Sequence, residues 1–364
     1  MNIIKKEWIF LSYFIPLFAV KLLDITSDNM ILKIIGVLCL GLLAFNITGI
    51  KYRIQSFRLF CVLIFFSIIL VFTSGKQGIF FSVIMLFTMQ GMQQNKRIYK
   101  VCFWVGLIFL IIACINGREG TEVSRFMNGE WNAMVKRSNL LYVSYVAIVS
   151  LYLFIREKQL RNSELVMIGV ISYCMYLYVG SRTGLGAVIF LLILIFLLRG
   201  LRFDQFRIIK YGCALFPLIC FLFCLFSGIN YGKESFWDIL NMMLQGRVEQ
   251  NSAYLDRYDI TLFGQHIYES TDVNDFWVLD CAYLDMLICS GLLFSFLWIV
   301  FNFIVIKSMY EQKRMIVVSI LLMYAVYGIT ETFLPNCFLN MSFFIYGQYI
   351  DSYFYNREIE KLSV

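Results

Sequence analysis

The sequence predicts an all-helical, polytopic integral membrane protein. It would have about twelve transmembrane helices and a long extracytoplasmic loop carrying short amphipathic helices. Three observations predict this. First, 60 % of the 364 residues are hydrophobic and 15 % are charged, against roughly 45–50 % and about 25 % in soluble domains. Second, the apolar residues fall in long runs, and a helical span needs ~20 of them. Third, lysine and arginine recur at regular intervals between the runs, as the positive-inside bias of membrane topology demands. The mean hydropathy of +0.75 excludes a soluble globular enzyme, a disordered tail and a disulfide scaffold. Period-two alternation is absent, which excludes an outer-membrane barrel.

Charged punctuation places spans near residues 8–23, 30–50, 59–74, 79–94, 101–115, 138–155, 164–180, 184–198, 211–228, 279–306, 315–330 and 338–355. Met1–Lys6 and the apolar run after it have the look of a signal peptide. No small-residue cleavage site succeeds them, so an uncleaved first span is expected. With twelve spans, one side receives Lys5/Lys6, Lys51/Arg53/Arg58, Lys96/Arg97/Lys100, Arg156/Lys158/Arg161, Arg199/Arg202/Arg207/Lys210, Lys307/Lys313/Arg314 and Arg357/Lys361. That side is expected to be cytoplasmic and to hold both termini, in a bacterial cytoplasmic membrane.

The chain reads as a single membrane domain, 1–364, with two long outer loops, 116–137 and 229–278. A fifty-residue loop in a compact protein is usually functional or disordered, and 229–278 carries helix signals. Ser235-Phe-Trp-Asp238 has capping-box spacing. Phe236, Ile239, Leu240, Met243 and Leu244 recur on one helical face. Gly246 fits a stop, and Arg247–Tyr258 fits a second short helix. These helices are expected to lie on the membrane face, with Phe236 and Trp237 at the interface. Most of the eleven cysteines stand inside apolar runs and read as small hydrophobes. No C-x-x-C pair has metal-ligand flanks, and a disulfide between Cys281 and Cys337 is one option near a shared face.

Six arginines stand on the outer side, where the charge bias depletes them: Arg118, Arg125, Arg137, Arg182, Arg247 and Arg257. Arg182 lies in Tyr178-Val-Gly-Ser-Arg-Thr-Gly-Leu-Gly186, between apolar spans. It reads either as a bidentate phosphate clamp or as a snorkelling anchor. Arg247 lies in an acidic loop of eight carboxylates against Lys233, Arg247 and Arg257. It reads as a ligand-holding group or as a surface residue paired with a neighbouring acid. His266 is the single histidine, a candidate general base near neutral pH or an ordinary polar residue. Asp285 and Glu331 are acids in apolar context, which makes them functional candidates. Asp280 reads better as a helix N-terminal group. Asp272-Val-Asn-Asp275 fixes no cation geometry. No D-x-D sequence stands in the outer loops, so no metal and no cofactor is expected, nor any nucleic-acid partner.

In order along the chain come Ser181-Arg-Thr-Gly-Leu, Gly246-Arg247, Leu262-Phe-Gly264, and Asp280-Cys-Ala-Tyr-Leu-Asp-Met-Leu-Ile-Cys-Ser-Gly-Leu-Leu293. Over Tyr178–Val300 this resembles the O-antigen polymerase and ligase superfamily, in particular the Wzy-type polymerases of capsule and exopolysaccharide synthesis. Two departures stand out. Leu-Phe-Gly-Gln-His replaces the usual second glycine, and Cys281 stands where a polar residue is common.

The resemblance implies a GT-C-type, metal-independent glycosyltransferase. Its substrate would be an undecaprenyl-pyrophosphate-linked oligosaccharide in the lipid bilayer, and its protein partners a chain-length regulator and a flippase. A growing glycan would pass onto a lipid-linked repeat unit, releasing undecaprenyl pyrophosphate. Carried over residue by residue, Arg182 and Arg247 would hold the pyrophosphate and His266 would act as base. Arg118, Arg125, Arg257, Asp285 and Glu331 would contact substrate. A ligase of the same superfamily is the near alternative. A lipid-linked oligosaccharide flippase is the alternative of another class, though it should carry its charges mid-membrane among broken helices.

Overall fold

The computed structural model of the chain describes residues 3–22, 54–76, 78–89, 96–116, 123–127, 130–134, 138–200, 206–272 and 275–362. The described residues are mainly helical. The helices are α1 (Ile3–Leu22), α2 (Ile54–Ser74), α3 (Gly78–Thr88), α4 (Lys96–Asn116), α5 (Ser138–Arg156), α6 (Asn162–Val179), α7 (Arg182–Gly200) and α8 (Arg207–Asn230). Next come α9 (Ser235–Met243), α10 (Arg247–Arg257), α11 (Ala282–Asp285), a π-turn (Met286–Ser290), α12 (Gly291–Glu311), α13 (Met315–Tyr327) and α14 (Ser342–Leu362). Two short antiparallel hairpins interrupt them. In one, β1 (Val123–Met127) pairs with β2 (Glu130–Met134) in the register Arg125 opposite Asn132; in the other, β3 (Ser270–Asp272) pairs with β4 (Asp275–Trp277).

Seven described helices are long and apolar enough to cross a membrane: Phe57–Ser74, Arg97–Ile115, Asn139–Arg156, Asn162–Val179, Arg182–Gly200, Arg207–Asn230 and Ala282–Glu311. Seven of the twelve expected spans are met in this way among the described residues. The expected span 30–50 lies outside them. The run 79–94 yields only Gly78–Thr88, and 315–330 yields Met315–Tyr327. At 1.5 Å per residue these reach about 16 and 20 Å, short of a ~30 Å hydrocarbon core. The first span has an apolar helical stretch of only Phe10–Ala19. The run 338–355 begins its helix at Ser342. Before that, Pro335 withholds a donor, and Asn336 and Asn340 accept from the backbone N–H groups of Phe338 and Ser342. Ser82 of α3 holds the same irregular segment, donating to the Pro335 carbonyl and accepting from the Cys337 N–H. Buried non-helical backbone needs such partners.

The chain forms two compact units. One comprises 1–57, 85–192 and 343–364; the other comprises 58–84 and 193–342. In the first, Phe10, Phe14 and Phe18 recur every fourth residue of α1 and stack face on face. Phe344 meets Phe14 edge-on, and Tyr99 lies against Phe154 and Phe344. α5 is the inner helix, 72 % buried, whereas α6 is 17 % buried and turns its aliphatic residues outward. α7 approaches α5 closely because Gly184 has no side chain. A Cβ there would run into the Tyr142 ring, whose hydroxyl donates to the Ser172 carbonyl.

In the second unit, α8 packs against α10, α11, α12 and α13. Gly228 permits the α8–α10 contact, since its Cβ would stand 2.8 Å from Leu255. α13 is buried along nearly all its length. Its end is tied to α11 by Ala282 N–H donating to Gly328 O and Tyr283 Oη donating to Ala325 O. Both helices expected in the long loop are present, with one correction. Glu234, not Ser235, is the N-cap of α9, and no side-chain cap bond forms. No α9 residue is buried: Phe236, Ile239, Met242 and Met243 are all exposed. Gln245 and Gly246 both take positive φ, which turns the chain from α9 into α10.

The two glycines of α7 separate packing from propensity. Gly184→Ala should lower stability by about 1–3 kcal/mol through overpacking. Gly186→Ala, which meets nothing within 4 Å, should be neutral or slightly stabilising. Apparent melting temperatures of the two variants in detergent check this; equal values would contradict the close α5–α7 approach.

Candidate functional site

The site lies within the second unit and starts from two glycines. The π-turn Met286–Ser290 widens the helix and releases backbone carbonyls from the regular ladder. The Ile288 carbonyl instead accepts the Gln265 N–H at 3.1 Å. One turn on, the N–H groups of Leu292 and Leu293 donate to the carbonyls of Thr261 and Leu262 at 3.0 and 3.2 Å. These donors begin α12 and would otherwise lack partners. Gly264 and Gly291 take φ of +77° and +87°. A Cβ on Gly264 would collide with the Cys289 carbonyl, and one on Gly291 with Gly264 N. The segments Leu262-Phe-Gly264 and Ser290-Gly-Leu-Leu293 are thus locked backbone to backbone.

The lock fixes the position of the residues after Gly264. Thr73, near the end of α2, donates to the Phe263 carbonyl at 2.8 Å. Gly75 ends that helix at φ +72°, and the exposed His266 ring lies beside it, its Cδ2 3.4 Å from where a Cβ would stand, an ordinary van der Waals contact. Lys76 Nζ lies 2.9 Å from Asp285 Oδ1 and 3.5 Å from Glu269 Oε2. Cys289 Sγ donates to the same Asp285 oxygen at 3.2 Å. Burial pulls the Lys76 ammonium down, but Asp285, Cys289 and Glu269 outweigh it and hold the group above its ordinary value. Burial, and then the Glu269 charge, push the Tyr254 phenol up. Tyr254 stacks on Tyr258, whose hydroxyl accepts the Tyr268 N–H.

A second ion cluster surrounds Arg247. Its guanidinium is buried, and it donates from Nε to Thr330 O at 3.0 Å and from Nη1 to Leu244 O at 3.5 Å. Nη2 reaches Glu331 Oε1 at 3.4 Å and Asp280 Oδ2 at 3.7 Å. The fork expected to hold a pyrophosphate is therefore engaged by protein. Arg247 ties the start of α10 to the segment after α13. Among the described residues the two clusters set Lys76 and Arg247 beside Asp285, Glu269, Asp280 and Glu331.

The remaining candidates make other contacts. Arg182 is exposed at the first position of α7, in the first unit. Gly180 caps α6 in the left-handed region, and Ser181 Oγ accepts the Gly184 N–H. Arg257 lies over the rings of Tyr258 and Tyr268. Arg125 is on β1; Arg118 and Arg137 lie outside the described residues. Asp285 and Glu331, expected as substrate contacts, fall in separate ion clusters. Among the described residues no group of three or more metal-ligand side chains could hold a metal ion, and Cys281 and Cys337 are free thiols. Sequence reasoning missed Lys76, Glu269 and Cys289. Lys76 carried a signal: it is a basic residue in a connection of a few residues that the charge spacing assigns to the side where basic residues are depleted. No protein-family model, curated protein or solved structure matches the chain.

Removing one member of a buried ion pair leaves the other charge uncompensated. Lys76 is about one-third exposed, so solvent reduces the effect, and Lys76→Met should cost about 1–3 kcal/mol. Adding Asp285→Asn should recover part of the loss. Thermal unfolding of the single and double variants measures the coupling, and wild-type stability of Lys76→Met would show that the pair contributes nothing. Because the lysine value is raised, the contribution is complete below its ordinary 10.5 and fades only as pH climbs through the folded value.

Proposed function

We propose that this chain is a polysaccharide polymerase of the bacterial cytoplasmic membrane. It transfers a growing undecaprenyl-pyrophosphate-linked glycan onto a lipid-linked repeat unit. One observation carries the reading: the segments around Gly264 and Gly291, both part of the resemblance, are interlocked, and the lock brings His266 beside Gly75, the residue before Lys76, whose ammonium pairs with Asp285 and Glu269. A charged cluster with an exposed imidazole at the end of an apolar helix suits a polar headgroup held at the membrane boundary by its lipid.

In this reading His266 takes the proton of the acceptor hydroxyl. The hydroxyl oxygen bonds to the anomeric carbon of the donor chain as the bond from that carbon to the pyrophosphate oxygen breaks. Asp285, fixed by Lys76, orients the site. Arg182 is retained as the pyrophosphate-holding guanidinium on the strength of the resemblance. Arg247 acts as a positioning residue through its carboxylate and carbonyl partners. The lysine- and arginine-rich connections and both termini face the cytoplasm, and α9 rests its open apolar side on the opposite membrane face.

The test is purified protein in liposomes with one lipid-linked repeat unit and no nucleotide sugar. A glycan ladder with matching release of undecaprenyl pyrophosphate is expected. Headgroup movement across the bilayer without a ladder would replace the reading with a flippase. His266→Ala should reduce ladder formation by about 10²–10⁴-fold while the protein stays in the membrane; undiminished turnover would exclude it as the base. In the same assay Arg182→Ala should abolish polymer, and normal chain length would remove that arginine from the mechanism.

A further inference from the structure

The first unit contains a cavity of about 660 Å³ between α4, α5 and α6. Its floor is α5, the inner helix, and its walls are α4 and α6, whose apolar spans are 28 % and 17 % buried. Ile111 and Met167, from the two walls, each remain half-exposed, so the space opens sideways where membrane-spanning helices meet lipid.

The lining is aliphatic apart from Phe103, two sulfur side chains besides Met167 and three tyrosines, and the tyrosine hydroxyls already have protein partners. At one end Tyr178 donates to the Cys114 carbonyl. In the middle Tyr145 pairs with Ser172 Oγ at 2.8 Å. At the other end Tyr152 donates to Glu164 Oε1 at 3.0 Å, and that carboxylate also takes the Arg156 guanidinium. With every lining hydroxyl bonded to protein, an occupant gains only by apolar contact. Left empty, the walls forfeit their dispersion contacts.

We infer that this groove is a specific binding site for one acyl chain of a bilayer phospholipid. From Met167 to Tyr178, the first and last α6 residues of the lining, the helix rises about 16 Å at 1.5 Å per residue, against about 15 Å for one leaflet of a ~30 Å core. One leaflet's acyl chain fits that length, and polar bridges close both ends against a much longer chain. The surrounding bilayer supplies the ligand at high local concentration, so binding stabilises the fold by mass action. The site is independent of the glycan-transfer reading.

The experiment reconstitutes the full chain in liposomes containing trace phosphatidylglycerol with a photoactivatable diazirine in the middle of its acyl chain. Crosslinked residues are mapped by mass spectrometry. Labelling at Ile111, Met167 and their groove neighbours should saturate with probe. Labelling at Phe65 and Phe72, exposed on α2, should rise in simple proportion. Met167→Trp, at a half-exposed wall position that tolerates bulk, should cut groove labelling about tenfold, a loss of roughly 1.4 kcal/mol, and leave α2 labelling unchanged. Groove labelling that never saturates in the wild-type chain would reduce the site to ordinary lipid contact and overturn the inference. Preferential displacement of the probe by a polyprenyl phosphate would overturn the acyl assignment.

Discussion

The backbone pairing between the Thr261–Gln265 loop and the π-turn that opens α12 is the constraint on which the polar site depends. A regular α-helix keeps its carbonyls within its own ladder, and a loop can only lie on its side chains. Here the widened turn offers the Ile288 carbonyl outward, and the first N–H groups of α12 donate to loop carbonyls. Two glycines with no Cβ allow the two stretches of backbone to touch. The loop thereby gains the rigidity of a helix while keeping a loop's freedom to present His266.

The charges around that lock are paired. Lys76 with Asp285 and Glu269, and Arg247 with Asp280 and Glu331, each bind elements distant in sequence. Near an apolar bundle an unpaired charge is costly, so pairing is what allows these groups to sit where they do. Pairing also changes what each can do chemically. An arginine whose donors are directed at carbonyls and carboxylates positions its neighbours, whereas an exposed arginine such as Arg182 remains open to a ligand.

The two units use aromatic and small residues in different ways. In the first, stacked phenylalanines and the Gly184–Tyr142 approach build a tight core beside a groove with satisfied tyrosines. In the second, Gly228 and the buried α13 bring α8 and α10 close enough to carry the Arg247 cluster. In both, a glycine allows the close approach of two helices.

Composition and charge spacing by themselves determined that this is a helical, membrane-type chain, because hydropathy is a local property of each run. They also determined the two helices of the long loop, since Gly246 and the apolar period act within a few residues. Helix length was less legible: Pro335, Asn336 and Asn340 interrupt an apolar run without lowering its hydropathy much, so a short helix presents the same pattern as a full span. The site was legible only as separate motifs. Which cation meets which carboxylate depends on contacts between residues up to about two hundred positions apart, as between Lys76 and Asp285. Spacing along a chain carries no information about such pairs, and only the tertiary structure decided that Lys76 belongs to the site and that Arg247 is already engaged.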